Sequence, residues 1–225
     1  MFVYIVCTGR ADIVLALDES TSIVENDPNR DNWYQRMLGF AVSIVRAFSI
    51  SPDLTQIGIL KFSDSAQVSF FLNRYRSSTN VIAAIERLNI SLGNTNIADA
   101  LRMARTQLFS RQNGARTDVP KILILITDGT ANIKVHMTVP EADATKAAGI
   151  QIFSVGIGSH IKEEELRAIA TMRSYFYFAT NFTTLNNVLQ RLLNNSCGVI
   201  VPVPTEPSTT TPTITGPPDP RPTGM

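Results

Sequence analysis

The sequence predicts an α/β fold built on a mostly parallel, six-stranded sheet with one antiparallel edge strand. Three observations carry that prediction. The apolar runs Ile13 to Leu17, Ile122 to Ile126 and Ile152 to Ile157 read as strands buried on both faces, because a sheet covered by helices leaves no wet side to alternate with. Between such runs, apolar residues recur at three- and four-residue spacing, the period of a helix with one face in a core. Two further strand-like stretches are separated by only Ser63 to Ala66, too short for a helical crossover, so they form an antiparallel hairpin.

In chain order, the first strand covers Ile13 to Leu17. A helix follows on Trp33, Met37, Phe40, Ala41, Ile44, Val45 and Phe48. The hairpin pairs Ile57 to Phe62 with Gln67 to Phe71. Helices at Val81 to Leu88 and Ile97 to Leu108 precede the central strand Ile122 to Ile126. Helices at Val139 to Ala148 and Glu163 to Ala170 flank the strand at Ile152, and a short strand at Tyr175 to Phe178 leads to a last helix through Leu185, Val188, Leu189, Leu192 and Leu193. Alternation of strands with helices is the mark of the α/β class. Met103, Met137 and Met172 sit at helical spacing among apolar neighbours and read as core.

Composition excludes several functions. With 44% hydrophobic and 17% charged residues the chain is rich enough in apolar side chains to fold, unlike a disordered one. The formal net charge of +1, with Lys and Arg scattered, supplies no basic face for nucleic acid. No stretch approaches the roughly 20 apolar residues that span a bilayer. Residues 1–10 read as a lead or signal remnant, 11–198 as one domain and 199–225 as a linker or tail. Eight of the 12 prolines lie in that last segment, beside Ser208, Thr209, Thr210 and Thr211, a composition that favours extended, poorly hydrogen-bonded chain and suits a connection to other modules of a longer parent protein.

Only two cysteines occur, Cys7 just before the first strand and Cys197 just after the last helix. They are either free thiols or a staple bracketing the domain; closing so long a loop removes about 5 kcal/mol of unfolded-chain entropy. The bracketing placement favours the staple. Asn89-Ile90-Ser91, Asn181-Phe182-Thr183 and Asn194-Asn195-Ser196 are acceptor sequences for N-linked glycans in an exported chain. Cysteines and sequons together predict a secreted, extracellular chain.

The chemistry gathers at strand ends. Asp18, Ser20 and Ser22 alternate as the chain leaves the first strand, and Asp128 with Gly129 ends the central one. Open α/β sheets bind ligands beyond the carboxyl ends of their strands, where the winding reverses. Thr95, on the loop Gly93-Asn94-Thr95-Asn96 before a helix, can reach the same point. Two carboxylates and three hydroxyls suit a hard cation, Mg2+ or alternatively Mn2+ or Ca2+, whereas zinc prefers sulfur and imidazole.

This pattern, Asp18-x-Ser20-x-Ser22 followed by Thr95 and Asp128, resembles the metal-ion-dependent adhesion site of the von Willebrand factor type A family, and the resemblance runs from about Ala11 to Cys197. It implies a Rossmann-like, doubly wound sheet of order 3-2-1-4-5-6 with helices on both faces. It also implies Ser20, Ser22 and Thr95 as direct metal ligands, with Asp18 and Asp128 often acting through water. In that family the ion lacks one ligand, which an acidic side chain of a partner fills. Asn94 stands where the family often has glycine, and Thr130-Ala131-Asn132 where a serine is common. No insertion lies between Gly158 and Lys162, where collagen-binding integrin domains carry an extra helix, so the likeness is to matrilin-like and collagen-VI-like modules.

Other chemistries lack their parts. The position two residues after Asp18 holds Ser20, not the second acid of a phosphoaspartate hydrolase. No Gly-x-Ser-x-Gly elbow or Gly-Lys-Ser/Thr loop occurs, and His136 and His160 read as exposed. Glu163, Glu164 and Glu165 read as favourable charge in the first turn of a helix. The expectation is a non-enzymatic adhesion module that binds a matrix protein such as a collagen, with a metal-independent structural role in matrix or shell as the alternative.

Overall fold

The computed structural model describes residues 7–25 and 27–200. The predicted tail from residue 201 onward, and residues 1–6 of the predicted lead, lie outside them. Six strands form one sheet: β1 (Ala11–Asp18), β2 (Thr55–Phe62), β3 (Ala66–Phe70), β4 (Lys121–Thr127), β5 (Ile150–Ile157) and β6 (Phe176–Ala179). Their order is β3-β2-β1-β4-β5-β6, all parallel except β3, which runs antiparallel to β2 at one edge. The chain winds outward from β1 to β3, returns to β4 and winds the other way. The reversal therefore falls between β1 and β4, which are neighbours.

Period-two geometry explains why the strands read as unbroken apolar runs. Ile13, Leu15 and Leu17 of β1 face one core and Val14 and Ala16 the other; Ile122, Ile124 and Ile126 of β4 oppose Leu123 and Leu125 in the same way. Helices α1 (Leu38–Arg46), α2 (Ser78–Ile85) and α6 (Asn186–Val199) close the first core. Helices α3 (Ile97–Met103), α4 (Val135–Ala147) and α5 (Glu163–Ile169) close the second. Helices thus cover both faces, as predicted.

Some boundaries differ from the sequence reading. Wider π-type turns at Asn32–Met37 lead into α1, and others at Ala104–Leu108 extend α3. Helix α2 begins three residues earlier than its apolar period, because Ser77 caps it by accepting from the Asn80 amide at 3.4 Å. Helix α4 starts at Val135 and not Val139, with Pro140 inside it. Val135 and Val139 are both exposed, so its first turn shows no inward stripe for the sequence to display. Met172 is 48% exposed and is not core: it precedes a short turn after α5.

Cys7 and Cys197 are joined as a disulfide across 190 residues of sequence, with Cα atoms 5.6 Å apart. Cys7 also bridges to Phe48 and donates its amide to the Ala47 carbonyl at 2.7 Å, so the bond ties the end of α6 to the segment just after α1.

Candidate metal centre

Asp18 is the last residue of β1 and is fully buried. One carboxylate oxygen accepts the Ser20 amide at 2.8 Å, which turns the chain so that Ser20 and Ser22 stand on the same side. The other accepts the Thr127 hydroxyl at 2.5 Å and ties β1 to the end of β4. The Ser20 and Ser22 hydroxyls lie 3.0 Å apart, and Ser22 donates to Asp128 at 2.7 Å. A Cβ added at Gly129 would stand 3.3 Å from the Thr95 hydroxyl and 3.8 Å from that of Ser22. Five oxygen-bearing side chains predicted from sequence are therefore brought to one place, beyond the strand ends at the winding reversal.

Thr95 belongs to no strand, and its position depends on neighbours. Asn132 accepts the Thr95 amide through its side chain at 2.8 Å and returns its own amide to the Thr95 carbonyl at 3.0 Å. Asn94 donates its amide and side chain to one oxygen of Asp64, at 2.9 and 2.8 Å. Thr21 makes reciprocal 3.1 Å bonds with the Gly93 backbone. Asn94, which stands where the family often has glycine, and Asn132, in the stretch that lacks the common serine, thus carry side chains that hold the Thr95 loop in place.

A buried ion pair stands beneath this loop. Glu19, only 1% exposed, accepts the Lys61 ammonium at 2.7 Å and the Ser91 amide at 2.8 Å, and Lys61 also donates to the Asn89 carbonyl. Neither Glu19 nor Lys61 belongs to a sequence motif. The available signal was a lysine inside the apolar β2 run, since a buried cation needs a partner. From the other side, Thr130 donates to the His160 carbonyl at 2.8 Å and Glu165 accepts the Ala131 amide at 3.3 Å. Glu163, Glu164 and Glu165 do form the first turn of α5, but Glu165 is half-buried and burial raises its carboxyl above the ordinary range.

Electrostatics favour a cation here. Burial, opposed by hydrogen bonds from Ser20 and Thr127, raises Asp18 to about 6. Burial first, and the adjacent Asp18 charge second, push Asp128 up to about 7. Among the described residues neither carboxylate has a Lys or Arg partner within 4 Å. Two buried acids facing hydroxyl oxygens, without a counter-cation, fit a hard divalent ion. Among the described residues no group of three or more His, Cys, Asp and Glu is assembled, so a zinc-type nitrogen and sulfur cage is not what the donor set resembles.

A family model for the von Willebrand factor type A domain matches residues 12–191. The chain belongs to that family. Its VWA domain is 32% identical over 190 residues to the collagen alpha-6(VI) chain of Mus musculus, covering 84% of this chain and 8% of that one. It is 28% identical over 197 residues to matrilin-1 of Gallus gallus, covering 85% and 38%. The solved structure of proximal thread matrix protein 1 from the mussel byssus, with a zinc-occupied MIDAS motif, matches at a TM-score of 0.78 and 32% identity, over 86% of this chain and 47% of that one. The chain spans less than half the length of each of these relatives.

The remaining predicted sites of the VWA domain are scattered. Asn89, Asn181 and Asn194 are all exposed. Asn89 lies on the loop beside Lys61, Asn181 caps a short turn, and Asn194 is within α6, where the Ser196 hydroxyl is buried against the Leu192 carbonyl. His136 and His160 are exposed.

Proposed function

We propose that this VWA domain is an extracellular binding module that holds a divalent cation and uses it to grip an acidic side chain of a matrix protein such as a collagen. The observation that carries the reading is the convergence of Ser20, Ser22, Thr95, Asp18 and Asp128 at the winding reversal, with two buried carboxylates that have no counter-cation among the described residues. Ser20, Ser22 and Thr95 would hold the ion directly, and Asp18 and Asp128 would act through bound water and neutralise its charge. When bound, the ion supplies a positive centre with one position open to a partner carboxylate. The preferred ion is Mg2+, with Mn2+ and Ca2+ as substitutes; the zinc-occupied relative supports a divalent site without favouring zinc in this donor set.

The domain covers 11–198, between a lead and a Pro/Thr-rich linker, and works without catalysis. Secretion is supported by the disulfide, by exposed acceptor asparagines and by relatives that include collagen and matrilin chains. A second reading, that the domain chiefly spaces or assembles modules of a matrix, is favoured by the thread matrix relative. Calorimetric titration of Mg2+ and Mn2+ into chelator-stripped protein, with Asp18→Ala as control, tests the metal site. A matrix-protein binding screen with and without chelator then separates the readings. Saturable binding in wild type alone, with chelator-sensitive capture, is the expected result; binding that survives both chelator and Asp18→Ala would establish the structural reading instead.

A further inference from the structure

An open cleft of about 450 Å3, within the about 300–1,000 Å3 typical of small-molecule sites, lies between the start of α1 and the turn that leads into α6. Its wall carries Gly39, Phe40 and Ser43 of α1, Arg36 just before them, and Phe182 and Thr183 on the other side. Two of these residues are unexplained by the domain's own packing. Gly39 sits inside a continuous helical run, where glycine weakens the helix, yet a Cβ added there meets no atom of the described residues within 4 Å. Arg36 is half-buried and donates to the Asn32 side chain at 2.5 Å, but it has no carboxylate within 4 Å among the described residues. The cleft thus offers room, unspent guanidinium donors and the half-buried aromatic surface of Phe182.

At the rim stands an acceptor asparagine. Thr183, in the wall, donates its hydroxyl to Asn181 Oδ1 at 2.5 Å, and the Thr184 amide donates to the same oxygen at 3.0 Å. Asn181 Nδ2, in the same amide plane, donates to none of the described residues, which leaves it as the atom from which a sugar starts. We propose that the first N-acetylglucosamine of a glycan on Asn181 occupies this cleft, its acetamido and hydroxyl oxygens accepting from Arg36 and one face of its ring lying on Phe182. In the linkage step Asn181 Nδ2 attacks C1 of the sugar on a lipid-diphosphate donor. The C1–N bond forms, the C1–O bond breaks, and the lipid diphosphate leaves as Nδ2 gives up a proton. That step acts on the sequon before folding, and the folded geometry decides where the sugar lies. The proposal rests on the extracellular reading and adds to it a sugar that ties the start of α1 to the entry of α6.

The test uses the whole chain, supplied with a signal peptide and secreted from cultured eukaryotic cells, as wild type and as Gly39→Gln. The glutamine fills the cleft from a position with free space around its Cβ, so the variant keeps the fold. Peptide mass spectrometry reads the occupancy of Asn181, and peptide N-glycosidase F then removes the glycan from the native protein. A linkage exposed only about a tenth of the time is cut about tenfold more slowly, so wild type should release its Asn181 glycan about tenfold more slowly than Gly39→Gln. Equal rates for the two proteins, or a secreted and oxidised chain with Asn181 unmodified, overturn the sugar seat alone. A chain that fails to emerge with Cys7–Cys197 formed overturns the extracellular reading and the seat with it.

Discussion

Lys61→Ala removes the cation from a carboxylate that is 1% exposed, and the structure allows the consequence to be sized. Glu19 keeps one hydrogen bond, from the Ser91 amide, but loses its only ion-pair partner among the described residues, in a place that water barely reaches. Breaking a buried pair by deleting one member costs about 3–5 kcal/mol, and the surviving Ser91 bond puts this case near the lower end. The Asn89 carbonyl loses its donor as well. For a domain of this size each kcal/mol moves Tm by about 2–4 °C, so the expected drop is about 6–12 °C. Thermal unfolding of metal-free protein, followed by circular dichroism, measures the drop in Tm, and urea unfolding measures the loss in kcal/mol. The companion variant replaces Glu19 and Lys61 together by methionine; it should lose less than Lys61→Ala, because no stranded charge remains. A loss below about 1 kcal/mol for Lys61→Ala, or a double variant less stable than the single one, would refute the argument that this pair holds the Thr95 loop from beneath.

Three further outcomes follow from the same geometry. In metal-free protein Asp18 and Asp128 hold protons to about 6 and 7 in the folded state but release them near 3.8 when unfolded. The unfolded state therefore binds fewer protons between pH 4 and 7, and stability falls as pH rises through that window. Comparing wild type with Asp128→Asn from pH 4.5 to 7.5 should show a shallower fall in the variant; identical slopes would disprove the assignment. Gly129→Ala places a methyl 3.3 Å from the Thr95 hydroxyl, so calorimetry should show Mg2+ affinity reduced by about tenfold or more while far-UV circular dichroism is unchanged, given typical overpacking costs of about 1–3 kcal/mol. Reducing Cys7–Cys197 should cost about 2–5 kcal/mol in urea unfolding, with the folded sheet retained in native buffer; a reduced protein of equal stability would show that the staple adds nothing.

The parts of the site that were legible share a physical cause. Asp18, Ser20, Ser22 and Asp128 are set by strand ends, and strands buried on both faces announce themselves as unbroken apolar runs. The antiparallel edge was legible because a four-residue link cannot cross over, whereas the strand order was implied only by the family resemblance. Helix starts were less legible where capping or exposure, not an apolar stripe, determines them, as at Ser77 and Val135.

What the sequence determined by itself was the set of oxygen-bearing side chains at the strand ends and the strands that carry them, since both follow from local pattern and period. The tertiary structure alone decided how Thr95 reaches them. That loop has no regular hydrogen bonding of its own, and it is held by Asn132, Asp64, Thr21 and the Glu19–Lys61 pair, contacts made between residues 28 to 72 positions apart. Local propensity carries no information about partners so distant. Their meeting is fixed by strand order and by the requirement that every buried polar group find one.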